Sequence, residues 1–112
     1  MNDYIFYGGR IFRAVSIAGS GYVSTDTIFR YDQREDVLIG SYSGGDIEFG
    51  SIVGTVHADG RLSFLYHHIT KSGDMRSGSC ESRPEWVERK LRLHESWQWH
   101  GGAGGSSIIE EL

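Results

Sequence analysis

The sequence predicts an all-β chain, an eight-stranded antiparallel up-and-down (meander) β-barrel. Short segments of alternating apolar and polar residues recur, most clearly from Val37 to Ile69 and from Lys90 to Trp99, each bounded by glycine or aspartate. The connections are mostly short, which imposes nearest-neighbour antiparallel pairing, and a meander of this size removes its exposed edges by closing on itself. Alanine and leucine are sparse, and the best helical segment, Pro84 to Arg89, amounts to a turn. An open two-sheet sandwich is the architectural alternative. With 112 residues the chain reads as one domain, 1–112.

The first strand is predicted over Phe12 to Ile17, ended by Gly19-Ser20-Gly21, and the second over Thr25 to Gln33, followed by the polar turn Asp32-Gln33-Arg34-Glu35-Asp36. Val37 to Ser43 forms the third, and Gly44-Gly45-Asp46 turns it into a long fourth, Ile47 to His57. Gly50 and Gly54 inside that strand imply a bend, a bulge or close packing at a barrel corner. Ala58-Asp59-Gly60 is the strongest hairpin signal, because Asp-Gly tolerates the positive φ of a tight turn. Arg61 to Ile69 is the fifth strand. Thr70 to Asp74 reverses the chain into the sixth, Met75 to Ser82, and Pro84, which has no N–H to donate, is expected to stop the ladder. Lys90 to Trp99 is the seventh. His100 to Ser106 reads as a flexible connection to a short closing strand, Ser107 to Glu111, that pairs with the first.

Composition narrows the functional classes. Cys80 is the sole cysteine, so no intrachain disulfide forms, and the N-terminus from Met1 to Gly8 lacks a basic segment and a long apolar core; both fit a cytoplasmic location. No apolar run approaches the ~20 residues of a spanning helix, and no membrane is expected as partner. The net charge of −4, with Arg76, Arg83, Arg89 and Arg92 interrupted by acidic neighbours, argues against nucleic acid. A monomer or homodimer is expected.

Period-two alternation assigns faces. In the seventh strand Glu95 shares a face with Leu91, Leu93, Trp97 and Trp99. A buried carboxyl must be paired, hydrogen-bonded or protonated, so Glu95 is either a ligand anchor or general acid at a cavity floor, or a structural cross-brace. Arg76, in register with Gly78 and Cys80, is its expected partner. In the fifth strand His68 lines up with Phe64 and Tyr66 while His67 points the other way, so the two cannot chelate one metal, and no metal or cofactor is expected. Phe29, Tyr31, Tyr42, Phe64, Tyr66, Trp97 and Trp99 form the candidate lining of a small-molecule site, with Glu95, His68 and Arg76 as polar anchors. The same aromatics would equally fill a solid core, since an eight-stranded barrel either fills with side chains or holds one small ligand. A ligand-holding barrel calls for a cavity on the order of 300 Å³ or more.

Other patterns carry less. Gly101 to Ser107 lacks the Gly-Lys-Ser/Thr of a phosphate loop and precedes no helix. His94-Glu95-Ser96 has the residue types of a hydrolytic triad, but alternation turns Glu95 away from its neighbours. Cys80 reads as a buried inert thiol.

Leu38-Ile39-Gly40-Ser41-Tyr42-Ser43-Gly44-Gly45, with Phe12-Arg13 before it, Phe49-Gly50 after it, then Gly78-Ser79-Cys80, Trp97-Gln98-Trp99 and Ile108-Ile109-Glu110-Glu111, resembles a family of short bacterial proteins often catalogued as "N-acetylglutamate synthase". The acetyl-CoA-receiving strand-to-helix turn of such an acetyltransferase is not matched, so no catalytic residue transfers. The Leu-x-Gly-x-Tyr string and the Trp-rich penultimate strand are also similar to avidin-like and lipocalin-like barrels. That similarity implies a fold and a ligand-holding habit, while the avidin pattern of biotin-contacting residues is not matched one by one. Three functional classes follow: a small-ligand-binding barrel, an enzyme using Glu95 or His68 as acid/base, and a structural or partner-binding module presenting Tyr4, Ile5, Phe6 and Tyr7.

Overall fold

The computed structural model describes residues 4–19 and 23–112. Eight strands follow in chain order: β1 (Ile11–Gly19), β2 (Ile28–Arg34), β3 (Val37–Gly44), β4 (Ile47–Val56), β5 (Leu62–Thr70), β6 (Met75–Val87), β7 (Lys90–Trp99) and β8 (Gly104–Glu111). Each pairs antiparallel with the next, and β8 returns to β1, so the sheet is a closed barrel. No helix is present among the described residues, and therefore none long and apolar enough to cross a membrane.

Glycine–aromatic pairing shapes the interior. Across neighbouring strands Tyr31 faces Gly40, Tyr42 faces Gly50, Phe64 faces Gly54, Tyr66 faces Gly78 and Trp97 faces Gly105. In four of these pairs a Cβ on the glycine would overlap atoms of the facing aromatic residue, and at Gly40 it would come to 3.1 Å from the Tyr31 ring. A narrow barrel has room for large rings only where the opposite wall has no side chain. Gly50 and Gly54 therefore serve close packing, and neither lies at a bulge. The irregularities fall elsewhere, at Ala14/Ser16, Tyr42/Gly44 and Ile47/Phe49. At Gly54 the obstruction is backbone: a methyl group would overlap the Ser63 carbonyl oxygen and the Phe64 Cα. Gly54→Ala is expected to cost about 1–3 kcal/mol by forcing β4 from β5; an unchanged urea midpoint would contradict that tight spacing.

Three expectations are corrected. Pro84 does not end its strand: β6 runs on to Val87, with Pro84 opposite Leu93 of β7. Pairing of β6 with β5 ends at Ser82 opposite Leu62, so beyond that point β6 has a neighbour on one side only, where a missing N–H is tolerated. The segment Pro84 to Arg89 is accordingly strand and then a tight turn, with Glu88 and Arg89 at φ of 51° and 74°. The glycine-rich segment after His100 is not loop throughout, because Gly104, Gly105 and Ser106 already pair with β7, where Gly105 leaves space for the Trp97 ring. The second strand begins only at Ile28; Thr27 before it is tied by its hydroxyl to the Gly44 carbonyl at 3.3 Å. Of the expected end of β1, Gly19 is its last residue, and Ser20-Gly21 lies outside the described residues, as does Met1 to Asp3 of the N-terminal reading.

One end of the barrel is solid. Phe12, Leu38, Leu62, Leu91, Leu93 and Ile109 are fully buried there, and the chain before β1 covers them. Tyr7 donates its hydroxyl to the Gly60 carbonyl at 2.6 Å, and its backbone N–H bonds to Gln33 Oε1 at 2.7 Å. Ile5 and Tyr7 thus belong to the core, while Tyr4 and Phe6 point outward. The apolar patch expected from all four is halved by strand-like alternation.

Candidate functional site

The opposite end is built from the late residues of β3, β5 and β7 and the early ones of β2, β4, β6 and β8. Alternation turns Glu95 and Trp97 inward with Trp99 half-buried behind them, while Ser96 and Gln98 face out. In β5 the buried set is Leu62, Phe64, Tyr66, His68 and Thr70, and His67 is exposed.

These chains surround a void of about 40 Å³. Its walls are the rings of Phe29, Tyr42, Phe64, Tyr66, Trp97 and Trp99, with Val23 and Ile52 as aliphatic members and His68, Cys80, Glu95 and Ser107 as polar ones. Val23 and Trp99 are its half-exposed members and mark the open side. From Glu95 to Trp99 the strand rises about 13 Å at 3.3 Å per residue, so the carboxyl sits deep. The volume falls far short of the ~300 Å³ expected for a drug-sized ligand, because the rings lean on one another. Tyr66 and Trp99 meet edge to face at 5.2 Å between centroids, His68 and Trp99 at 5.5 Å, and Phe29 stacks on Tyr42 at 5.5 Å.

Glu95 is buried and held by two serines from the flanking strands. Register places Ser82 of β6 and Ser107 of β8 directly opposite it. Ser82 donates to Oε2 at 2.9 Å and Ser107 to Oε1 at 3.1 Å. Burial pushes the carboxyl up to about 7, and hydrogen bonds from Ser82, Ser107 and Cys80 restrain it from rising further. It makes no ion pair with any described residue. Arg76 is not its partner: it lies opposite His68, six residues along β6 from Ser82 and thus about 20 Å away, and it is exposed at the rim.

His68 Nδ1 and the Tyr42 hydroxyl are 2.9 Å apart. Burial, reinforced by Arg76 and His67, holds His68 below the usual imidazole range, so it is neutral at pH 7. Burial likewise raises the Tyr42, Tyr66 and Cys80 values, so these groups stay protonated and Cys80 is a poor nucleophile. Among the described residues the Tyr66 hydroxyl is buried without a hydrogen-bond partner, as is that of Tyr31.

Among the expected site residues, Phe29, Tyr42, Phe64, Tyr66, His68, Glu95, Trp97 and Trp99 meet around this void. Tyr31 is buried one layer deeper, against Phe12 and Tyr7. Sequence reasoning missed Ile52, Cys80 and Ser107 as lining. Alternation alone puts Ile52 and Cys80 on inner faces, whereas Ser82 and Ser107 become visible only once the strand registers are known. Val23, in a loop, carries no signal.

No three His, Cys, Asp or Glu side chains converge as a metal site among the described residues. On the outer wall His57 Nε2, Ser63 Oγ and Glu81 Oε2 form a chain at 2.7 and 2.6 Å. The serine there lies between the two titratable groups, not beside a histidine oriented by the acid, so it is no hydrolytic relay. His94 is bonded to Glu85 at 2.8 Å, on the opposite face from Glu95.

Residues 5–112 match the family model described as "Avidin-like protein". No curated protein and no solved structure matches.

Proposed function

The chain belongs to the avidin-like protein family, and from that premise we propose that it binds a small molecule at the open end of its barrel. An avidin-like barrel fits small-molecule binding in general. The observation that carries the reading for this chain is a buried carboxyl without an ionic partner among the described residues, bordering a void walled by aromatic rings. Glu95 provides the polar anchor, and the rings of Phe29, Tyr42, Phe64, Tyr66, Trp97 and Trp99 provide apolar contact at low entropic cost. The void of about 40 Å³ limits the guest to a group of a few atoms, unless Trp99 swings outward to admit more. Mass spectrometry of the freshly purified protein under native conditions is expected to find a retained small molecule, released on unfolding. A ligand-free mass, together with no thermal shift from a library of fragments, would end this reading.

A further inference from the structure

The carboxyl and the rings together specify the charge of the guest, an inference that rests on the interior-binding reading above. We propose that the barrel is a cation cage: it takes a small organic ammonium ion, with Glu95 as counter-charge and the surrounding rings as its walls.

A carboxylate taken out of water is costly unless a cation compensates it. Among the described residues Glu95 is compensated only by hydroxyl and thiol donors. The groups facing it from the packed elements are Ser107 of β8, Cys80 and Ser82 of β6, and the tyrosines at 31, 42 and 66. Not one of these carries positive charge. His68, the basic side chain lining the void, is kept neutral by its burial. The cage is therefore one positive charge short of neutrality whenever Glu95 is ionised, and a guest is the available source of that charge.

The walls select the type of cation. Ring faces carry the negative end of the aromatic quadrupole and attract ammonium groups, most strongly when both are desolvated, and boxes of several rings are the usual way to hold methylated ammonium ions. A metal ion fits badly, since Glu95 is the one carboxylate in the lining and no three His, Cys, Asp or Glu side chains converge among the described residues. A bulky amine needs more than the void's volume. A compact alkylammonium head meets both the size and the polarity, with its substituent leaving past Trp99.

Calorimetric titration with choline, and with its uncharged isostere 3,3-dimethylbutan-1-ol, tests this. Choline is expected to bind at least about tenfold more tightly than the alcohol at pH 8. It is expected to weaken at least about tenfold at pH 5.5, where Glu95 is protonated. Glu95→Gln, which keeps the shape and can still bond both serines, is expected to abolish the preference for the cation. Equal affinity for the two probes, or a preference surviving in Glu95→Gln, overturns the cage while leaving interior binding intact. Binding of neither probe also overturns it, and the native mass measurement then decides the broader reading separately. The comparison in the unmodified protein stands even if the variant folds poorly.

Discussion

Glu95→Gln is expected to be more stable than the unmodified protein at pH 8, by up to about 3 kcal/mol, and equally stable near pH 4. An exposed carboxyl titrates at 4.5, whereas Glu95 in the fold titrates at about 7. Below 4.5 both folded and unfolded chains hold the proton, so Glu95 contributes nothing to the pH dependence. Between 4.5 and about 7 the unfolded chain has released it and the folded chain retains it, so stability falls as pH rises and levels off above about 7. The interval is worth about 3 kcal/mol at about 1.4 kcal/mol per pH unit. Glutamine cannot titrate, so the gap between variant and parent opens over that window. Urea midpoints of both proteins from pH 4 to pH 8 measure it, and a gap independent of pH would show that Glu95 does not titrate as described.

Phe12→Ala is expected to cost about 3–5 kcal/mol, a large share of the stability of a domain this size. Phe12 is fully buried at the solid end and packs against Tyr31 with ring centroids 5.1 Å apart. It also sits where the barrel is most weakly closed, since β1 pairs with β2 only from Ile11 to Arg13. Removing the ring leaves a cavity at that seam with few neighbours able to collapse into it. Val15→Ala, at the outward bulge of the same strand, is the control and is expected to stay within about 0.5 kcal/mol. A loss of less than about 1 kcal/mol for Phe12→Ala would mean that the seam is not held by this side chain.

Much of the barrel was legible because strand patterning is local. Val37, Ile47, Met75 and Lys90 begin strands where the alternation begins, and His67 and His68 diverge as period two demands. Pro84 misled because its cost depends on whether a strand lies beside it, which is a property of the β5 end and not of the residues around the proline. Gly104 and Gly105 misled for a similar reason: glycine weakens an isolated strand, yet here it makes room for Trp97 from β7. The five glycine–aromatic pairs were present in the sequence but could be paired only with the registers in hand.

By itself the sequence determined the all-β class, the succession of eight strands, and which residues face inward, because side-chain alternation and turn chemistry act over a few residues. The tertiary structure alone decided what those inward residues enclose. Register set Ser82 and Ser107 beside Glu95 and carried Arg76 about 20 Å from it. Ring packing reduced the interior to about 40 Å³. Both depend on how strands distant in the chain align and how their side chains share one volume, and neither quantity is encoded at any single position.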